Sequence, residues 1–247
     1  MKKILIGLLL FIFAIDAKSQ SQPKFFGTVK IEFQKTVYAR QLYKEMYERW
    51  YDMFKDRVPA QVVNYYDFIG DTTKSIFKPG KEAPFDPRSW YQSVADKNII
   101  YTDYAADKII AQKPVYEETF LVEDSILKIK WKLVPDTRVI AGFECRKAVG
   151  IIDDSIGVIA FYTDEILVKG GPESIGGLPG MILALSVPRL HTTWIATGVQ
   201  VNDVKMNAVT PATKGKKVTR GSMVGQLEKV LKNWGDYGRK MIVNFLI

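Results

Sequence analysis

The feature that most constrains the fold is a glycine- and proline-rich run between two apolar segments. Residues 170–183 contain five glycines and two prolines. Glycine permits positive φ and close approach of other backbone, while proline fixes φ and removes a hydrogen-bond donor. The run lacks the spacing and the following helix of phosphate and dinucleotide loops. It therefore predicts one tight turn, with lining of a ligand mouth as the alternative. The residues assigned to this structural motif are Gly171, Pro172, Gly176, Gly177, Leu178, Pro179 and Gly180.

The N-terminus predicts export. Lys2 and Lys3 precede an apolar run over residues 4–15, which is too short to span a bilayer. Cleavage after Ser19 or after Ala17 fits the small residues that follow. We expect a signal peptide over residues 1–19, one domain over residues 20–247, and no transmembrane segment in the mature chain. The expected location is the periplasm, with an extracellular location as the alternative.

Composition and charge restrict the function classes. Of the 247 residues, 47% are hydrophobic, and the formal net charge is +8. Because the basic residues are spread along the chain, except near residues 214–220, we expect no nucleic-acid partner. The single cysteine, Cys145, forms no internal disulfide, so burial must stabilise the fold. One histidine and one cysteine do not supply a zinc cluster, and we expect neither a metal nor a cofactor.

Periodicity predicts a mainly β fold. Residues 27–34 alternate apolar and polar side chains, and similar short segments recur from residue 62 to residue 201. Residues 41–57 change to helical spacing, and Ser222 is placed as the cap of a second helix that runs to about residue 234. Residues 241–247 are predicted to form a final strand. The expected fold is a β-rich α+β domain: a curved antiparallel sheet, or unclosed half-barrel, wrapped around the early amphipathic helix, with a C-terminal helix.

Three segments resemble a known family of exported proteins. They are residues 141–148, residues 161–166 and Gly177-Leu178-Pro179-Gly180-Met181-Ile182. The last is similar to the motif that names the GLPGLI family of Bacteroidetes. The resemblance implies export and carries no established activity. Its strand pattern is similar to that of periplasmic lipoprotein carriers, which are half-barrels with an apolar cavity. Members of the GLPGLI family accompany outer-membrane transport receptors, which implies a role in envelope traffic.

The early helix provides the candidate ligand site. Methionine and aromatic side chains adapt to irregular apolar ligands. The candidate ligand-binding residues are Tyr43, Met46, Tyr47, Trp50, Met53 and Phe54. The alternative is that the same face packs on the sheet. We expect Trp50 to lie on the side that shields the inner surface of the sheet.

These observations favour a non-catalytic periplasmic binding or carrier protein for a lipid or another apolar or amphipathic ligand. The first alternative is an accessory protein that contacts an outer-membrane transport receptor and carries no small molecule. The second is an envelope hydrolase, which would have to use His191 as its general base. The sequence around His191 is typical of a turn between strands, and Cys145 is interpreted as a small core residue.

Overall fold

The computed structural model describes residues 24–84, 91 and 95–247, except the side chains of residues 236, 237 and 239. The predicted signal peptide lies outside the described residues. The strands are β1 (Thr28–Val37), β2 (Val62–Asp71), β3 (Lys74–Pro79), β4 (Ile99–Asp103), β5 (Lys108–Val115), β6 (Glu118–Ser125), β7 (Lys130–Ile140), β8 (Phe143–Ile152), β9 (Ile156–Thr163), β10 (Met181–Val187), β11 (Thr192–Gln200) and β12 (Lys216–Val218). The α-helices are α1 (Ala39–Tyr47), α2 (Arg220–Leu231) and α3 (Gly235–Leu246).

All twelve described strands belong to one sheet, in the order β12-β6-β5-β4-β3-β2-β1-β11-β10-β9-β8-β7. Every neighbouring pair is antiparallel except β12 and β6, which run parallel. The sheet ends at two different edge strands, β12 and β7, so it does not close into a barrel. The predicted mainly β, unclosed architecture with a C-terminal helix is confirmed.

One face of the sheet encloses the main core. Along β1 the side chains of Val29, Ile31 and Phe33 alternate inward and are fully buried, as a strand with one covered face requires. Val122 of β6 and Ile152 of β8 belong to the same apolar cluster, although these strands stand far apart in the sheet. This arrangement requires the sheet to bend around its core.

The helices that cover the inner face come from the C-terminal part of the chain. Met223 and Leu227 of α2 are buried in the main cluster, and so are Val243 and Phe245 of α3. Helix α2 begins after Thr219, whose hydroxyl accepts a hydrogen bond from the Ser222 backbone N–H at 3.2 Å. The cap is therefore Thr219, three residues before the one that the sequence favoured.

Two elements differ from the sequence prediction. Helix α1 ends at Tyr47, and short 3₁₀ turns follow at Tyr51–Met53 and Lys55–Arg57 in place of one helix to residue 57. The apolar segment Met241 to Ile247 lies almost wholly in α3 and does not form a strand. No described helix combines the length and the apolar character that crossing a bilayer requires.

Candidate functional site

The structure separates the six aromatic and methionine residues proposed for ligand contact. Tyr43 is buried, and Met46, Tyr47 and Phe54 are half-buried. Trp50 is 63% exposed and Met53 is 77% exposed. The expectation that Trp50 shields the inner surface of the sheet is wrong, because the helix ends before this residue and the C-terminal helices occupy that surface.

The buried members of this set form a small cluster of their own. Tyr43 packs with Ala39 and Val58, outside the main core. The Tyr43 ring centroid lies 5.4 Å from that of Tyr47, which lies 5.3 Å from that of Phe54 in an edge-to-face contact. Such edge-to-face pairs are a favoured aromatic geometry. The 3₁₀ turns thus fold the aromatic side chains onto each other.

Among the described residues, the inner face of the sheet is closely packed. Two concavities beside Glu173 have volumes of about 20 and 10 Å³. A volume of roughly 10–15 Å³ on this measure holds one water molecule. These spaces are therefore of water size, and neither accommodates an alkyl chain.

The glycine- and proline-rich run is itself part of this filling. Its side chains Ile175 and Leu178 belong to the main core. A Cβ at Gly180 would collide with the Thr163 carbonyl oxygen, and one at Gly176 would lie 2.6 Å from the Lys169 carbonyl oxygen. Of the seven residues assigned to the motif, Gly171, Pro172, Gly176, Leu178 and Gly180 are buried, whereas Gly177 and Pro179 are exposed. The run is a buried loop, and glycine is required where backbone meets backbone.

A buried polar network, which was not predicted from the sequence, lies on the same inner face. Lys35 of β1 pairs with Asp96 at 2.5 Å, and both side chains are less than a tenth exposed. Asn64 donates to the other Asp96 oxygen at 2.7 Å, and the Tyr66 hydroxyl donates to the Asp96 carbonyl oxygen at 3.1 Å. The Lys35 ammonium also lies 5.4 Å from the centroid of the Trp194 ring. The alternation of β1, which places Lys35 on the side of Phe33, was the available sequence signal.

Two further buried charges face this network. Burial raises the pKa of the Glu173 carboxyl, while Lys35 and Lys113 act against that shift. Asn98 donates a hydrogen bond to Glu173 at 3.2 Å. Burial lowers the pKa of Lys113 to about 8, and its ammonium donates to the Phe245 and Ile247 main-chain oxygens. These contacts join the glycine-rich loop, the sheet and α3.

Two residues were considered for nucleophilic chemistry, and the structure shows the surroundings of each. His191 follows a 3₁₀ turn in the left-handed conformation, and its Nε2 lies 3.0 Å from Glu45 Oε1, without hydrogen-bond geometry. Cys145 is fully buried, and burial raises the pKa of its thiol to about 12. A thiol with such a pKa is not a reactive nucleophile. Within the described residues, no three His, Cys, Asp or Glu side chains form a group suited to a metal ion.

A ligand-sized groove lies elsewhere, between α2 and α3. Its volume is about 640 Å³. The lining residues are Arg189, Gly225, Glu228, Lys229, Leu231, Lys232, Gly235, Gly238 and Ile242. Leu231 is buried and Ile242 is half-buried, whereas Arg189, Lys229 and Lys232 are exposed. The groove thus has an apolar floor and a basic rim.

Glycines account for the shape of this groove. A Cβ at Gly238 would meet the Leu231 backbone, so α3 passes very close to the end of α2. A Cβ at Gly225 would meet nothing within 4 Å, so the missing side chain leaves open space there. Glycine inside a helix is unfavourable by about 1 kcal/mol relative to alanine. An interior helical glycine beside basic residues was therefore a sequence signal that could have indicated the groove.

Comparison with known proteins identifies a family that matches this sequence. The family described as N-glycanase peptide, N-terminal domain, matches residues 92–223, which is more than half of the chain. The chain belongs to this family. No curated protein matches the sequence.

Two solved structures of PNGF-II resemble the fold of this family member. The structure in space group C2 is 16% identical, with a TM-score of 0.51, over 79% of this chain and 31% of PNGF-II. The structure in space group P21 is also 16% identical, with a TM-score of 0.50, over 78% of this chain and 32% of PNGF-II. This chain therefore spans about a third of the length of PNGF-II, and the likeness shows the fold alone.

Proposed function

We propose that this chain is a non-catalytic binding protein of the cell envelope, with its apolar or amphipathic ligand held in the groove between α2 and α3. The groove volume of about 640 Å³ is the observation that carries the proposal. It falls within the range of roughly 300–1,000 Å³ that is usual for small-molecule sites. The site therefore differs from the cavity inside the sheet that the carrier analogy implied.

Two observations support the non-catalytic part of the proposal. The candidate nucleophile Cys145 is fully buried, and burial raises the pKa of its thiol. The matched family is described as an N-terminal domain of N-glycanase, and the chain is equivalent to about a third of PNGF-II. A domain of this kind would stand beside the part of a glycanase that carries the reaction. Export rests on the signal-like N-terminus and on the GLPGLI resemblance.

Native mass spectrometry of protein purified from the cell envelope without denaturation tests the proposal. We expect an additional mass of lipid or fatty-acid size on the wild-type protein. Gly225→Leu, which fills the groove, should remove that mass, whereas Gly221→Leu on the same helix should retain it. A bare protein mass, combined with no thermal shift from any member of a lipid panel, would reject a ligand-carrying role.

The second candidate function is contact with a macromolecular partner, such as an outer-membrane transport receptor. The exposed Trp50 and Met53 favour it, because large exposed apolar side chains mark interaction surfaces when they cluster. A photo-cross-linking residue at position 53 should then capture the receptor, whereas one at Val139 of β7 should not. Equal capture from both positions would show that the turn is not the contact surface.

An envelope hydrolase using His191 is the third hypothesis, and unchanged activity in His191→Ala would remove it.

A further inference from the structure

We infer that the groove between α2 and α3 selects a single-chain amphipathic anion. Its anionic head would lie at Arg189, Lys229 and Lys232, and its alkyl chain would lie along Leu231 and Ile242. This inference rests on the proposed function and adds the charge of the ligand.

The charge of the rim is the first argument. Among the described residues, Glu228 is the only acidic residue that lines the groove, against three basic ones. No described carboxylate lies within ion-pairing distance of Arg189, Lys229 or Lys232. Residues 220–240 contain five basic and two acidic residues in total. An anion at this rim therefore meets three basic side chains that pair with no described carboxylate.

Some exposed cations elsewhere in the described residues have an acidic partner, in contrast to those of the rim. Lys108 lies 3.0 Å from Glu123, and Lys147 lies 3.0 Å from Asp136. Exposed pairs of this kind contribute little to stability, because water screens the attraction and both side chains lose freedom. The three rim cations pair with no described carboxylate, and the fold loses little by leaving them available to a ligand.

The shape of the groove is the second argument. It lies between two helices that approach closely at Gly238. Its apolar floor is built from Leu231, Ile242 and glycines, so it offers contact along a chain, and no described side chain at depth forms hydrogen bonds. An alkyl chain fits such a floor because burial of each CH₂ group away from water is favourable. We therefore commit to a monomeric amphiphile and not to a bilayer surface.

Gly225 provides a steric test that should not unfold the protein. It faces the groove, and a side chain there meets no neighbouring atom within 4 Å. Leucine at this position occupies the groove and also favours the helix, because glycine is a poor helix former. Gly221, one turn earlier on α2, has the same free space and does not line the groove. Gly221→Leu is therefore the matched control.

Titration calorimetry with dodecanoate, below its micelle concentration, tests the inference against dodecyl maltoside, which has the same chain and a neutral head. We expect dodecanoate to bind at least tenfold more tightly, equivalent to about 1.4 kcal/mol. Gly225→Leu should abolish binding of both compounds, and Gly221→Leu should change neither. The double variant Lys229→Gln/Lys232→Gln should weaken dodecanoate binding severalfold and leave dodecyl maltoside binding unchanged.

The contradicting outcomes are distinct. Equal affinity for the two compounds would overturn the anion preference and leave the proposed binding function standing. Failure of both compounds to bind the wild-type protein would overturn the inference and count against the proposed function. Undiminished dodecanoate binding by Gly225→Leu would place the ligand outside the groove. Binding only to phosphatidylglycerol vesicles, without binding of monomeric dodecanoate, would identify a membrane surface as the partner and overturn the inference.

Discussion

At the scale of single residues, the buried charges determine how the inner face is held together. Lys35 lies on the core-facing side of β1, where its neighbours in the alternation, Ile31 and Phe33, are fully buried. Asp96 supplies its counter-charge, and Asn64 donates to the same carboxylate. A buried ion pair has little net value compared with apolar packing, but loss of one partner leaves an uncompensated charge. The stability of this region is therefore sensitive to single substitutions.

Asp96→Ala should strongly destabilise the fold. The variant leaves the Lys35 ammonium buried without its carboxylate, and such a loss costs about 3–5 kcal/mol. Asp52→Ala is the control, because the Asp52–Lys55 pair at 3.0 Å is exposed and its loss should change stability very little. Urea unfolding followed by circular dichroism measures both. Equal small effects of the two variants would show that the network does not carry this role.

Lys113 should make stability depend on pH in the alkaline range. Its pKa is about 8 in the folded protein because of burial, against about 10.4 for an unfolded lysine. Between these values the unfolded state binds more protons, so the free energy of unfolding rises with pH. We expect a rise of about 1–2 kcal/mol from roughly pH 8 to 9.5. Lys113→Met should remove this rise, and a free energy of unfolding that falls over this interval in the wild type would contradict it.

At the scale of elements, the sequence predicted strands well and the ends of helices poorly. The alternation of β1 and the tight glycine-rich turn were readable because strand periodicity and glycine sterics are local properties. The prediction for residues 241–247 was wrong because this segment is apolar on nearly all sides. Met241, Val243, Phe245 and Ile247 are its buried members, so every second residue is core even though the segment is helical. Periodicity does not separate a short apolar helix from a buried strand.

Helix α1 shows a second limit of local patterns. The helical spacing continues past Tyr47, and the sequence alone does not show where the backbone leaves it. The aromatic contacts among Tyr47, Tyr51 and Phe54 form across the 3₁₀ turns, with Tyr51 and Phe54 centroids 5.9 Å apart. The chain therefore folds so that these aromatic rings pack together, and it does not continue as the regular helix that the sequence pattern predicted.

Gly180→Ala should destabilise the loop between β9 and β10. The new Cβ would collide with the Thr163 carbonyl oxygen, which is backbone and has little freedom to move. Overpacking of this kind costs about 1–3 kcal/mol. Gly157→Ala in β9 is the matched control, because a Cβ there meets nothing within 4 Å. Thermal unfolding should show a lower Tm for Gly180→Ala only, and an equal Tm for the two variants would refute the steric explanation.

At the scale of the whole molecule, the sequence predicted that a helix covers the inner face of the sheet, but it assigned this role to the early helix. Both the early and the late helical segments carry apolar faces, and no local signal decides which one reaches the inner surface. The decision depends on contacts between distant parts of the chain, such as Lys113 with the Phe245 main-chain oxygen. The candidate groove was missed for the same reason, because it forms only when α2 and α3 meet.

Two truncations of large side chains separate the covering helix from the exposed turn. Phe245 is fully buried, so Phe245→Ala should lower the free energy of unfolding by about 3–5 kcal/mol. Trp50 is 63% exposed, so Trp50→Ala should change it by less than about 0.5 kcal/mol. Denaturant unfolding measures both values. A larger loss from Trp50→Ala than from Phe245→Ala would mean that the segment around Trp50, and not α3, covers the inner face.

Hydrogen exchange with and without dodecanoate is the decisive measurement for the groove, because it locates the bound ligand along the chain. We predict slower exchange in α2 and α3, chiefly over residues 225–242, and unchanged exchange in β1 and β2. Protection confined to the inner-face strands, or to residues 47–57 around Trp50, would contradict a ligand site in the groove between α2 and α3.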